Sequence, residues 1–352
     1  MDLLHSLDIG SSSVKLITLR KERNELFLFE HQELDLPPET LVTRQGKSML
    51  KNPDAMEKQI AAVLSTSKTK NKEVAVTLPD HCATILFKEI DKLFDDKMKQ
   101  DYVRWRLRKI LASSLVTNSL LDYQILGRKE TDDGVNFYVV VEIIKEQLLN
   151  NLASIIFNAG FTPLYFDINS FGLANLYHEY LDRYPEKTNN YMIINIGHGA
   201  TTFAFYRDKI LSYLRTIPIG GMHFTAKISI LKETDLAGAE KIKRETNFFS
   251  GKTMDMENIE KVFGPWLKEL DVTIQFYNKT NLVGRMEKIF LGGGSSLIEQ
   301  FDDFLFRVTG IKAELLPLDN IIGAGKGQLE SRQLTATLGA AVGTLFREGS
   351  AL

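Results

Sequence analysis

Residues 7–19 read LDIGSSSVKLITL, an apolar, strand-like segment broken by an aspartate, a glycine and three serines in succession. A turn built from glycine and serine exposes several backbone N–H groups on one side, because glycine permits positive φ and short side chains let an anion approach. Phosphate oxygens suit such a concavity. Asp8, just before the turn, supplies a carboxylate able to hold waters of a magnesium ion, and Lys15 adds a nearby cation. The polar object that fits Gly10, Ser11, Ser12 and Ser13 is therefore a nucleotide phosphate tail, with an ordinary hairpin as the competing reading.

Working outward, residues 5–21 and 25–36 alternate β-branched or aromatic with polar residues and predict a strand meander. Met56, Ile60, Val63 and Leu64 fall at helical spacing after Asp54, an expected N-cap, and KEVAVTLP is a short buried strand ended by Pro79. From about Cys82 to Pro163 the pattern changes. A strand (82–90), a basic helix (95–115), a hairpin around Thr131–Gly134 and a helix closed by Gly160 form a self-contained α+β insert. In that basic helix Arg104, Arg106, Arg108 and Lys109 alternate with Trp105 and Leu107, a pattern that also suits RNA but is read in preference as a solvated face, with Val103, Leu107, Ile110 and Leu111 buried. A strand at 162–168 and a helix at 169–181 then restore a βα rhythm.

The opening repeats at 194–206, INIGHGATTFAFY, which sets Asn195 opposite Asp8 and superposes the Ile-Gly pair and the hydroxyl-rich turn; two related lobes follow. Further on, Glu240 and Lys243 lie at i,i+3 on a helix. FLGGGSS leads from a strand into a helix, with an expected capping box from Ser296 to Glu299 and an apolar stripe of Leu297, Phe301, Phe304 and Val308. LTATLGAAVGTLF closes the chain as a tightly packed, small-residue helix.

Composition narrows the function classes. The 352 residues are 44% hydrophobic and 25% charged with a net charge of -2, so bulk binding to nucleic acid is not indicated. The single cysteine, Cys82, can form no internal disulfide, which makes the cytoplasm the default compartment. No window offers ~18 uninterrupted apolar residues, so membrane association is expected only through a partner. GAGKG at 323–327 lacks the Walker A spacing, and the six histidines form no metal-binding motif. His198 sits in the second turn, within reach of a nucleotide or simply solvent-exposed.

Taken in order, LDIGSSSVK, INIGHGATTF and IFLGGGSSLI resemble the two phosphate motifs and the adenosine motif of the actin-like ATPase superfamily. Within it the chain is similar, from Ser6 to near Phe346, to the PilM family of type IV pilus assembly proteins, relatives of the division protein FtsA. The resemblance implies an α/β actin-like fold of two duplicated ribonuclease H-like lobes, with an FtsA-type 1C subdomain inserted in the first. The implied division is 1–82 and 164–190 with a returning helix at 336–352 (1A), 83–163 (1C), 191–235 and 286–335 (2A), and 236–285 (2B). It implies that Asp8, Gly10–Ser13 and Lys15 line the phosphate and magnesium site, with Gly197, Gly199, Thr201 and Thr202 in the opposing hairpin. Glu240 and Lys243 would contact ribose and adenine, and Gly292, Gly293, Gly294 and Ser295 would lie under the base.

The implied cofactors are ATP or ADP with Mg2+, and Asn195 joins Asp8 near the metal. The implied role is an ATP-binding adaptor at the inner face of the cytoplasmic membrane that recruits a PilN-type membrane protein through a short cytoplasmic peptide. The peptide is expected in a groove between insert and first lobe. Self-association, a filament-forming actin and, less favoured, a sugar-kinase-type phosphotransferase are the alternatives; for the last no catalytic base is evident. Two departures bear on this. The second motif has Asn195 where aspartate is usual, which leads us to expect weak or absent hydrolysis, and the insert lacks the family's acidic Pro-Phe stretch, so its partner surface can differ.

Overall fold

The computed structural model describes all residues except 1, 24, 45–46, 92–98, 132–133, 185–187, 247, 250–255, 281–284, 324–330 and 348–352. The meander forms as expected: β1 (Asp2–Ile9), β2 (Ser13–Glu22) and β3 (Glu25–Asp35) pair antiparallel in sequence. A small hairpin follows, β4 (Leu41–Arg44) with β5 (Lys47–Leu50). Helix α1 (Pro53–Ser65) starts two residues earlier than expected. Its cap is Asn52, whose side chain accepts from the Ala55 N–H at 3.1 Å, while Pro53 takes the first turn, where no N–H is required, and Asp54 lies within it.

Next come β6 (Glu73–Leu78) and the insert strands β7 (Ala83–Asp91), β8 (Ser119–Thr131) and β9 (Gly134–Lys145), with α2 (Lys99–Ile110) and α3 (Ser113–Val116) between β7 and β8. The tip of the expected hairpin, 132–133, and residues 95–98 of the expected basic helix lie outside the described residues. The insert sheet has the order β7-β9-β8 and shares one core with Val103, Leu107 and Leu111. Ile110, expected inside, is 40% exposed, because the helix ends there and turns its last residue outward. Helix α4 (Glu146–Asn158) departs from the insert. It buries Leu148, Leu152 and Ile156 beside Met56 and Ile60 of α1, in the core of the first sheet.

β10 (Thr162–Ile168) pairs parallel with β6, giving the first sheet the order β10-β6-β1-β2-β3. After α5 (Asn169–Arg183) the pattern is repeated by β11 (Asn190–Ile196), β12 (Thr201–Arg207) and β13 (Ile210–Ile217), then α6 (Gly221–Leu231), α7 (Leu236–Glu245), α8 (Met256–Thr280), β14 (Lys288–Gly292), α9 (Phe301–Thr309), β15 (Lys312–Glu314) and α10 (Ser331–Thr344). Read from its β15 edge, the second sheet runs β15-β14-β11-β12-β13, strand for strand the order of the first. The short sequence echo of LDIG and INIG is thus the visible remnant of two matching sheets.

Helices α5 and α10 cross between the sheets, where Leu173, Tyr177, Leu338 and Val342 share one core with Ile17 and Leu19 of β2 and Tyr191 and Phe290 of the second sheet. The helices touch backbone to backbone. A Cβ on Gly343 would sit 1.8 Å from the Gly172 carbonyl oxygen, and one on Gly172 would sit 2.3 Å from that of Ala340. Gly343→Ala should therefore cost about 1–3 kcal/mol or more through overpacking, lowering the thermal unfolding temperature. Gly127→Ala, where a Cβ meets nothing within 4 Å, should leave it almost unchanged.

Candidate functional site

Each sheet ends its central hairpin in the same four-residue turn: the Gly10 N–H donates to the Ser13 carbonyl at 2.8 Å, and the Gly197 N–H to the Ala200 carbonyl at 3.0 Å. The turns face one another, so that a Cβ built on Gly199 would lie 3.8 Å from Ser11 Oγ. Between them opens a cleft of about 670 Å3. Among the described residues the N–H groups of Ser11, Ser12 and Gly199 make no hydrogen bond, which leaves them for an anion.

The floor on the first-lobe side is Asp8, 4% exposed. Its Oδ2 accepts from Lys15 Nζ at 3.1 Å and its Oδ1 from Thr77 Oγ1 at 3.2 Å. Asn169, with its amide turned to satisfy these groups, donates to Oδ1 at 3.3 Å. Burial works against the charge of Lys15, but Asp8 and Glu33, 3.7 Å away, outweigh it and hold the ammonium above its ordinary pKa. Ser13 Oγ donates to Glu33 Oε1 at 2.8 Å, tying the turn to β3.

A second carboxylate, Asp80, reaches the cleft from the 3-10 turn after β6. It accepts from the Ser170 N–H and Oγ, both at 2.8 Å, at the positive start of α5. Asn195 Nδ2 crosses from the other lobe and donates to Asp80 Oδ2 at 3.2 Å. Among the described residues no group of three or more potential metal ligands occurs.

The opposite wall is made by α6 and α7. Lys243 Nζ donates to Glu240 Oε2 at 2.7 Å, Thr225 Oγ1 at 3.0 Å and the Gly221 carbonyl at 3.3 Å. Partial burial would push Glu240 up, but hydrogen bonds from Lys243, Thr225 and Arg244 bring its pKa down to about 2, while burial lowers that of Lys243. The ammonium is already saturated, so its place in the cleft is as much the lock between α6 and α7 as a ligand contact. His198 faces the cleft from the second turn, and its partial burial lowers its pKa, which keeps it neutral at pH 7.

The third glycine run closes the back. Gly293 adopts φ +81°, and a Cβ there would stand 2.3 Å from the Ile196 carbonyl oxygen and 2.8 Å from Asn195 Oδ1. Gly294 opens onto the cleft, with nothing within 4 Å of the Cβ position, and Ser295 lies so close to Gly221 that a side chain there would strike its Oγ at 2.3 Å. The expected capping box does not form. Ser296 Oγ bonds back to the Gly293 carbonyl at 2.7 Å inside a 3-10 turn, and α9 starts only at Phe301, after Gln300 at φ 58°. Of the expected stripe, Phe301 and Phe304 are buried and Val308 is exposed.

The structure thus brings Asp8, Gly10–Ser13, Lys15, Asn195, Gly197, Gly199, Glu240, Lys243, Gly293, Gly294 and Ser295 around one cleft. Three sequence candidates stand elsewhere. Thr201 lies in the core, donating to the Ile219 carbonyl at 2.7 Å and accepting from Trp266 Nε1 at 3.0 Å; Thr202 pairs with Thr216 at 2.9 Å; Gly292 gives space to Leu173. Thr77, Asp80 and Asn169 were not legible as site residues, since nothing beside them in the chain marks a turn or a charge pair.

A family model described as type IV pilus assembly protein PilM matches residues 6–342. The chain belongs to that family. Across the family's fold, a solved PilM-PilN type IV pilus biogenesis complex is similar at TM-score 0.80 and 21% identity, covering 97% of both chains. MreB5 of Spiroplasma citri, solved bound to AMPPNP, is similar at TM-score 0.53 and 12% identity, covering 99% of this chain and 96% of that one. These likenesses establish the actin-like ATPase fold. Cell division protein FtsA of Bacillus subtilis (strain 168) is 38% identical over 60 residues, 17% of this chain and 14% of that protein. The matching segment thus spans only a small part of that curated relative.

The Asn195–Asp80 hydrogen bond makes a specific demand. Asn195→Asp would set two carboxylates against each other across the lobes, where like charges force one pKa up. The variant should lose about 1–3 kcal/mol at pH 7.5. A carboxyl whose folded-state pKa is raised destabilises above that pKa and recovers as pH falls through it. Thermal melts at pH 7.5 and pH 5 should therefore show the deficit shrinking at the lower pH.

Proposed function

We propose that the protein is a nucleotide-binding adaptor of type IV pilus assembly, taking ATP or ADP with Mg2+ in the cleft between the lobes. The observation that carries this reading is the pair of identical turns facing each other with unused N–H groups, an arrangement that fits phosphate oxygens from two sides. MreB5, which has the same fold, is solved with AMPPNP. Magnesium, when bound, supplies charge neutralisation for the phosphates, and Asp8 is the carboxylate that would hold its waters. Asn195 offers only a neutral oxygen there.

Weak or absent hydrolysis is part of the proposal. On the first-lobe side the described cleft holds two further carboxylates: Glu33, occupied by Ser13 and Lys15, and Asp80, whose two oxygens are held by Ser170 and Asn195. A carboxylate so engaged orients the lobes and is a poor base for water or a substrate hydroxyl. This favours a structural nucleotide over the kinase alternative. The partner would be a PilN-type inner-membrane protein, held by a short cytoplasmic peptide where the insert meets the first lobe. Support comes from the similar PilM, which is solved in complex with PilN, and from β8, whose outer edge has no strand beside it among the described residues. Among the described residues no helix is long and apolar enough to cross a membrane, so the partner would carry the anchorage.

Calorimetry should show Mg-ATP binding to the nucleotide-free chain. Asp8→Ala should weaken the magnesium-dependent part by roughly 10–100-fold, the worth of about 1.5–3 kcal/mol for hydrogen bonds to a charged group. Single-turnover assays should show ATP persisting in the complex; absence of nucleotide binding, or brisk turnover, would defeat the corresponding half of the reading.

A further inference from the structure

A second cavity, of about 560 Å3, lies where the insert, α5, the second sheet and the chain after α10 meet. It is acidic in a way the fold does not require. Glu142 of β9, Asp122 of β8 and Asp167 at the end of β10 all line it; Arg347 stands 3.7 Å from Asp122 and 3.8 Å from Asp167, Arg104 pairs with Asp122 at 3.4 Å, and Lys209 of the lining is taken by Asp182. Asp167 is 3% exposed and, among the described residues, otherwise accepts only from the neighbouring Ile168 N–H at 2.8 Å.

Two polar atoms in the lining are orphans. Glu142 Oε1 and His178 Nε2 are shielded from solvent and have no hydrogen-bond partner among the described residues. A buried acceptor without a donor costs about 1–3 kcal/mol, and more when it is charged. Burial accordingly pushes Glu142 well above the usual carboxylate range and Asp167 up to about 6, and it lowers His178 to about 4, so the imidazole is neutral and can accept at Nε2. Leu126, Phe171 and Phe346 form apolar walls beside these groups.

We propose that this cavity receives the guanidinium of an arginine side chain from a partner polypeptide. A guanidinium carries five donors in a planar fork and no acceptor, which matches two orphan acceptors and two loosely paired carboxylates. Its methylene stem suits the apolar walls. Asp122, Asp167, Glu179 and Asp182 outnumber Arg347 and Lys209 in the lining, which disfavours an anion, and the described residues hold no group of three metal ligands. At the mouth, Ile125 and Ile210 are 41% and 48% exposed, and residues 122–126 of the edge strand β8 give an extended peptide a place to lie as it delivers the side chain. Only the identity of the partner rests on the adaptor reading above.

The test uses the full chain and two small probes, N-acetyl-arginine amide and its neutral isostere N-acetyl-citrulline amide, followed by calorimetry. The arginine probe should bind with a Kd on the order of millimolar, as its few heavy atoms allow, and the citrulline probe about tenfold more weakly or worse. Glu142→Gln should remove that preference while leaving the unfolding temperature unchanged or raised, because it deletes an unanswered carboxyl without changing shape. Equal binding of both probes, no saturable binding of either, or a preference that survives in Glu142→Gln overturns the proposal.

A set of labelled peptides covering the cytoplasmic segment of the PilN-type protein from the same organism separates the two readings. If one of these peptides binds but neither an arginine-to-citrulline change in it nor Glu142→Gln weakens it, the cavity assignment fails and the adaptor reading stands. If the arginine probe binds in a Glu142-dependent way and none of the peptides binds, the cavity assignment stands and the PilN reading fails.

Discussion

The crossing of α5 and α10 at backbone contact is the constraint on which the rest of the molecule depends. Two helices can approach so closely only where side chains are absent, and Gly172 and Gly343 supply that absence at the same point. The shared core fixes both sheets to this crossing, with Tyr177 and Phe290 stacked at 4.6 Å and the Tyr177 hydroxyl bonded to the Leu291 carbonyl. Tyr165 adds a bond at 2.8 Å to the Thr344 carbonyl at the end of α10. The distance between the two glycine turns is therefore set by the protein's own contacts, the apolar packing beneath the cleft and the Asn195–Asp80 hydrogen bond. Such an arrangement suits a site whose geometry must exist before its ligand arrives.

Charge in the cleft is arranged on the same principle. Asp8 and Asp80 are carboxylates near the floor, yet each is already supplied with donors by fixed neighbours: Lys15, Thr77 and Asn169 for one, Ser170 and Asn195 for the other. Satisfied in this way, buried carboxylates can persist without an ion, and their orientation is fixed. The Glu240–Lys243 pair does the same for the opposite wall, where the buried ammonium also holds the Gly221 carbonyl at the start of α6. The second cavity departs from this rule, because Glu142 and His178 are left unanswered there.

What the sequence discloses and what it hides divide along the range of the interactions. The strand meanders, the three glycine runs and the small-residue closing helix were legible because turn chemistry, period-two alternation and small-residue runs are local. The positions of Asp80 and Asn169 were not, since their meaning depends on Ser170, Asn195 and Asp8, far away in the chain. Local signals also misled where tertiary packing outcompeted them. Ser296 and Glu299 have the spacing of a capping box, but the left-handed Gly293 draws Ser296 into its own turn, and Thr201, attractive beside a phosphate turn, is claimed by Trp266. Helix α4 follows the insert in sequence but packs with α1, because its apolar stripe joins the core of the first sheet.

The asymmetry between the two halves of the duplication explains the one residue that departs from the superfamily pattern. By strand register Asp8 stands beside Thr77, and its counterpart Asn195 stands beside Gly292. The first lobe therefore offers its acid a hydroxyl on the neighbouring strand, whereas the second offers no side chain at all, only space that Leu173 fills. An aspartate at 195 would find no such donor there and would face Asp80 across the cleft. An asparagine solves the same geometry with its own N–H, turning the place of a repulsion into the hydrogen bond that joins the lobes. The exchange adds a hydrogen bond between the lobes and leaves one negative charge fewer in the cleft than an aspartate would.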